Sequence, residues 1–255
     1  MIYSFKKGEP KKGWVLLVHG LGEHIGRYEK LTEMLVQNDL GVIGFDLPGH
    51  GKSSGKRGNT TIEEVVEIID ELTKNVNQFT VFGHSLGGLI SIRYTELRPQ
   101  KVNNLVVSSP ALHVETKSSQ RIMMSIFSVL APTMTVSNGI DANLLSRNKS
   151  AVERYVADPL VHDRLSVRLA KSMMKNITLA HEQAERIVCP VSILIGTDDK
   201  VTLPDGARAF FEELKTEHKV IEEFKGGYHE LFEDPEHSDN FYRSILRYIM
   251  QVSID

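Results

Sequence analysis

Cysteine is almost missing from this chain: Cys189 is the single one in 255 residues. No internal disulfide can form, and no cluster of thiolates can hold zinc. Cys189 stands beside Pro190 at the start of an apolar run, which predicts a small buried apolar residue. Long hydrophobic runs are missing too. No stretch reaches the ~20 apolar residues of a membrane-spanning helix, and the opening M-I-Y-S-F-K-K-G-E-P-K-K-G lacks the apolar core of a signal peptide. A cytoplasmic protein is the expectation. Nor is there an excess of either charge. Lys and Arg number 30 against 33 Asp and Glu, a formal net charge of -3, without the basic field that nucleic-acid binding requires. Nucleic-acid partners are set aside on that ground.

What is present is an alternation of short apolar runs with amphipathic segments, the pattern of a mostly parallel sheet covered by helices on both faces. Strands are predicted over Trp14 to Val18, Gly41 to Phe45, Thr80 to Phe82, Asn104 to Ser108, Val191 to Ile195 and Val220 to Phe224. Crossover helices are predicted over Tyr28 to Gln37, Ile62 to Asn75, Leu86 to Leu97 and Pro204 to Leu214, with a closing helix over Phe241 to Val252. Right-handed crossovers put the C-terminal ends of the strands on one edge, where ligands bind in open α/β sheets.

The stretch Q-F-T-V-F-G-H-S-L-G-G-L-I-S-I (78 to 92) joins a strand to a helix through G-x-S-x-G. Gly83 and Gly87 flank Ser85 at the spacing of a nucleophile elbow, where the backbone folds back too tightly for side chains on either side. The helix start there also offers free N–H groups to an oxyanion, Leu86 first among them. A second glycine-rich turn, His19-Gly20-Leu21-Gly22-Glu23-His24, follows the Trp14 strand and brings the Leu21 N–H from the other side. The loop Phe45 to Ser53 resembles a phosphate loop only superficially, because Gly44 and Gly49 do not stand where G-x-x-x-x-G-K-[ST] needs them. Asp46 and His50 are read as braces for the loops at the rim of the cleft.

Two further loops at the same edge supply the remaining chemistry. Gly196-Thr197-Asp198-Asp199-Lys200-Val201 carries adjacent carboxylates, and Lys225-Gly226-Gly227-Tyr228-His229-Glu230 carries a histidine. The order serine, acid, histidine is that of an α/β-hydrolase. An imidazole titrating near 6.5 can take the serine proton and return it to a leaving alcohol, while a carboxylate orients the ring. Spacing leaves Asp198 and Asp199 as rivals for the acid. A metal site on Asp198, Asp199 and His229 lacks a further ligand pair at helical spacing, and no metal or organic cofactor is called for.

These residues carry a resemblance. H-G-L-G-E-H-I-G-R-Y (19 to 28), F-D-L-P-G-H-G-K-S (45 to 53), G-H-S-L-G-G (83 to 88), D-P-L-V-H-D-R-L-S-V-R-L (158 to 169), G-T-D-D-K-V (196 to 201) and G-G-Y-H-E-L (226 to 231) resemble the monoacylglycerol lipase and lysophospholipase family of α/β-hydrolases. The resemblance implies that Asp199 is the acid, that Leu21 and Leu86 donate to the oxyanion, and that Glu23, Arg27 and His84 line a pocket for the glycerol end. A surface ion pair at a helix start is the plain alternative for Glu23 and Arg27. Members of the family have one or two strands before the one that bears the oxyanion loop, whereas thirteen residues precede Trp14 here. A shortened sheet is therefore expected, with Ile2 to Phe5 as its extra edge strand.

Between Pro110 and Cys189 no strand period is visible, and Ile122, Met123, Ile126, Phe127, Val129, Leu130 and Met134 recur at helical spacing with little charge. This predicts a helical cap over 110–189 inserted into a core of 1–109 and 190–255. Ile122, Ile126 and Phe127 are the candidate acyl-chain contacts, and the stretch from Ile122 to Leu130 is a candidate for transient contact with a membrane or micelle surface. The expectation is a serine hydrolase that cleaves monoacylglycerols or similar lipid esters. Short-chain carboxylesterase and lysophospholipase are the alternatives within that chemistry, and an acyltransferase or a non-catalytic binding protein the alternatives outside it. Dehalogenases of this fold place Asp at the elbow, which Ser85 contradicts.

Overall fold

The computed structural model describes residues 1–113 and 130–251. Seven strands form the main sheet: β1 (Ser4–Lys7), β2 (Trp14–Val18), β3 (Gly41–Phe45), β4 (Phe79–His84), β5 (Val102–Ser108), β8 (Val191–Gly196) and β9 (Lys219–Phe224), in the order β1-β3-β2-β4-β5-β8-β9. All neighbours run parallel except β1, which lies antiparallel on β3 with Ser4 opposite Phe45. The expected extra edge strand therefore exists, two residues further along than Ile2 to Phe5.

Alternation along the strands sorts their side chains onto two cores. In β2, Leu16 and Val18 face one side while Val15 and Leu17 face the other. The first side is covered by α2 (Ile62–Leu72), α3 (Leu86–Leu97) and α6 (Pro204–Glu213), and the second by α1 (Glu29–Gln37) and α7 (Ser238–Gln251). Helix α2 starts at Thr61 with a capping box, Thr61 Oγ1 accepting from the Glu64 amide at 3.2 Å while Glu64 Oε2 accepts from the Thr61 amide at 3.2 Å. Cys189 is buried in the first core, and burial pushes its thiol up to about 12.

The interval 110–189 contains α4 (Lys149–Ala157) and α5 (Val167–Gln183), and also a short antiparallel ribbon of β6 (Thr135–Ser137) and β7 (Arg164–Ser166). The ribbon corrects the expectation of a strand-free interval, because three-residue strands are too short to print a period of two on the sequence. Helix α5 lies against α3: Leu169 and Ala180 belong to the first core, and the buried Arg93 donates to Asn176 Oδ1 at 3.1 Å and pairs with Glu96. Ile122, Ile126 and Phe127 lie outside the described residues. Among the described residues no helix is long and apolar enough to cross a membrane.

Candidate active site

Ser85 closes β4 and opens α3 at φ 56°, ψ -119°, one of three non-glycine residues at positive φ among those described. The neighbouring glycines explain how such a turn is built. A Cβ on Gly83 would overlap the Gly87 carbonyl and the Ser91 hydroxyl, and one on Gly87 would overlap the carbonyls of Val18 and His19. Since both carbonyls facing Gly87 belong to the backbone at the C-terminal end of β2, Gly87→Ala is expected to cost about 3 kcal/mol or more of stability, read as a lowered urea midpoint. A loss under about 1 kcal/mol would mean that the elbow is looser than this.

His229 and Ser85 line one small cavity together with Leu21, Glu23, His84 and Glu230. Its other wall comes from the 110–189 interval: Ile140, Leu145 and Tyr155. Its volume is only ≈ 10 Å³, room for about one water. A wider groove of ≈ 410 Å³ lies at the opposite edge of the sheet between Asn104, Ser192, His218 and Tyr248, but it holds no nucleophile paired with a base.

Behind His229, Asp199 Oδ2 lies 2.8 Å from Nδ1. Asp199 is 1% exposed and Asp198 is exposed. The two carboxylates thus diverge, and only Asp199 reaches the imidazole. Asp199 Oδ1 accepts from the amides of Val201 at 2.8 Å and Thr202 at 3.0 Å, and Oδ2 also lies 2.9 Å from the Thr202 hydroxyl. Burial alone would push Asp199 up, but the His229 ring and the two amides hold it below the usual carboxylate range. Burial alone would push His229 down, and the facing Asp199, with Glu230 and Glu23 beyond, lifts it above the ordinary imidazole value instead. With Nδ1–H donated to Asp199, the lone pair of Nε2 is free for the cavity. The Leu21 and Leu86 amides find no acceptor among the described residues.

Glu23 is buried and the Arg27 side chain is only 10% exposed, so the two do not form a surface ion pair. Glu23 Oε1 accepts from the Gly20 amide at 2.6 Å and from the Tyr28 hydroxyl at 2.7 Å, so it shapes the glycine-rich turn beside Ser85. Arg27 Nη1 lies 2.7 Å from Glu23 Oε2, and Nη1 and Nη2 grip Glu230 at 2.6 and 2.7 Å. Its guanidinium is stacked between Tyr155, 4.7 Å from the ring centre, and Phe232 at 5.3 Å. Arg27 itself does not line the cavity. His84 does, and its ring packs 4.7 Å from that of His229. Burial, then the neighbouring His229, pull His84 down to about 3, so it stays neutral and carries an unpartnered Nδ1.

The 158 to 169 stretch has a positional role. Asp158 Oδ2 lies 2.9 Å from His24 Nε2, the His162 amide donates to the Gly22 carbonyl at 2.8 Å, and His162 Nε2 lies 3.1 Å from the Gly49 carbonyl. The 158 to 169 stretch is thereby tied to both loops at the rim. Asp46 braces those loops from below, accepting from the Ile25 and Lys52 amides at 2.7 Å each. Glu230, Thr202 and Tyr155 escaped the reading of the sequence. Glu230 and Thr202 each stand beside a motif residue, a weak signal, and Tyr155 has none.

A family model described as serine aminopeptidase, S33 matches residues 9–236. The chain is 31% identical to a monoglyceride lipase of Mus musculus over 90% of its own length and 78% of that protein's. It is 29% identical to phospholipase YtpA of Bacillus subtilis, covering 89% of this chain and 91% of the relative. The crystal structure of Paleococcus ferrophilus monoacylglycerol lipase superposes with a TM-score of 0.96 at 50% identity, over 99% of each chain. The chain belongs to the serine aminopeptidase, S33 family of α/β-hydrolases, alongside the monoglyceride lipases.

Proposed function

We propose that this chain is a serine hydrolase of lipid carboxylic esters and that monoacylglycerols are its substrates, cleaved to fatty acid and glycerol. The observation that carries the reading is the 2.8 Å bond between Asp199 and His229, whose ring shares a cavity with the serine of a strained strand-to-helix turn. His229 Nε2 takes the proton as Ser85 Oγ attacks the ester carbon, and the N–H groups of Leu21 and Leu86 receive the oxyanion. The ester bond then breaks, His229 protonates the leaving glycerol oxygen, and the acyl group stays on Ser85. Water attacks the acyl carbon by the same route, giving its proton to His229, which returns it to Ser85 as the fatty acid departs.

Glu23 and His84 form the wall beside the leaving group, and Arg27 holds Glu23 and Glu230 in place from behind. Ile140, Leu145 and Tyr155 must move apart before an acyl chain fits. Leu130, Val136 and Val156 of the insertion are exposed at 75%, 47% and 68%, which supports transient contact with a lipid surface.

Two measurements test the reading. A rate series on glycerol monoesters of rising acyl length, with the matching lysophospholipids alongside, should give turnover that grows with chain length on the glycerol esters. Failure to hydrolyse any glycerol monoester overturns the assignment. The acid limb of kcat/KM should titrate above about 6.5, because a base whose pKa is raised stays protonated, and inactive, to higher pH. A limb below that value would mean that Asp199 does not face the ring in solution.

A further inference from the structure

We infer that Glu230 is a specificity-determining residue that, with Glu23, makes the leaving-group side of the cavity a net anionic wall, so the site rejects esters whose alcohol carries a phosphate. This rests on the reading of the cavity as an ester-hydrolase site. Two carboxylates, Glu23 and Glu230, line the cavity beside Ser85 and His229, while among the described residues no lysine or arginine does. Among the described residues the cation paired with these carboxylates is Arg27, and its terminal nitrogens are already committed: Nη1 to both carboxylates and Nη2 to Glu230. Tyr155 and Phe232 stack against the same guanidinium, so it offers no free fork to a phosphate. Asp199 adds a third negative charge directly behind His229.

Among the described residues, one guanidinium against three carboxylates leaves the site negative whether His229 is neutral or, during the reaction, charged. Glu23 and Glu230 have side chains only 4% exposed, so water screens them weakly. A glycerol leaving group brings hydroxyls that can donate to these oxygens, and a cationic alcohol would be drawn toward them. A phosphate brings like charge with nothing to pair it.

The test uses esters of one short acyl group, soluble as monomers, so that partition into micelles plays no part. Wild-type kcat/KM for 1-hexanoylglycerol is expected to exceed that for 1-hexanoylglycerol 3-phosphate by about 100-fold, as like charges a few ångströms apart in a poorly hydrated site repel strongly. Hexanoylcholine is expected to outrun its uncharged isostere, 3,3-dimethylbutyl hexanoate, by about 10-fold. In Glu230→Gln the neutral-to-phosphate ratio should shrink by about 10-fold; reading a ratio cancels any general loss of activity in the variant. Neutral and phosphate esters cleaved within threefold of one another by the wild type overturn the inference while leaving the hydrolase reading intact. So does a ratio unchanged in a folded Glu230→Gln. If that variant fails to fold, the wild-type charge series decides alone: no preference for the choline ester over its isostere rejects the anionic wall. Absence of turnover on every ester in the set strikes at the hydrolase reading instead.

Discussion

Ser85→Ala is expected to lower kcat for a glycerol monoester by about a million-fold, a loss near 8 kcal/mol of transition-state stabilisation, with the fold intact. The size follows from how the site is arranged. In the proposed mechanism His229 and Asp199 act only through the serine oxygen, so its removal silences all three together and leaves the two amide donors and substrate binding. The fold survives because the Ser85 hydroxyl has no hydrogen-bond partner among the described residues, and alanine keeps the Cβ that the turn already accommodates. The same variant should no longer be labelled by a fluorophosphonate, a reagent that discriminates an activated serine from an ordinary one. Turnover within tenfold of the wild type, on the other hand, would remove Ser85 as nucleophile.

The strained backbone supplies a second arm to that experiment. At φ 56° a side chain is held where only glycine rests comfortably, and such conformations store about 1–3 kcal/mol. Ser85→Gly should therefore be as inactive as Ser85→Ala but raise the unfolding midpoint, where Ser85→Ala leaves it nearly unchanged. This separates the two things the elbow does. Stability is given up in the turn so that the hydroxyl projects into the cavity, a trade characteristic of catalytic sites.

The elbow, the sheet and the site edge were legible in the sequence for a shared reason: each is written in local pattern. Gly83 and Gly87 mark the turn because their Cβ positions are occupied by neighbouring backbone, and the β-branched runs of β2, β3, β4, β5 and β8 mark strands that are buried on both faces. The acid could not be chosen by pattern, since Asp198 and Asp199 are adjacent and equally placed after β8; the resemblance to a known family pointed to Asp199, whose Oδ2 lies 2.8 Å from His229 Nδ1. Glu230 and Tyr155 illustrate what local pattern omits. Their roles depend on meeting Arg27, 203 residues from Glu230 along the chain and held from the insertion side by Tyr155, and no periodicity records a contact of that kind. The β6–β7 ribbon went unseen because its strands are three residues each.

Asp199→Asn is expected to lower kcat/KM by about ten-thousand-fold, whereas Asp198→Asn should stay within about threefold of the wild type. The asymmetry comes from the hydrogen bonds around Asp199. Its Oδ1 is bound by two backbone donors, the amides of Val201 and Thr202, which an asparagine can satisfy only with its carbonyl oxygen. The amide nitrogen is then forced into the place of Oδ2, 2.8 Å from His229 Nδ1, where it is itself a donor. Nδ1 must turn acceptor, the ring proton moves to Nε2, and the base that should take the Ser85 proton is blocked. Loss of the facing carboxylate also removes what lifts His229, so the acid limb of the surviving activity should move to lower pH. Asp198 has none of this: its side chain is exposed, and among the described residues its Oδ1 meets only the Thr197 hydroxyl at 3.2 Å. Equal losses in the two variants would leave the tautomer argument without support, and a larger loss in Asp198→Asn would transfer the acid role to the neighbour.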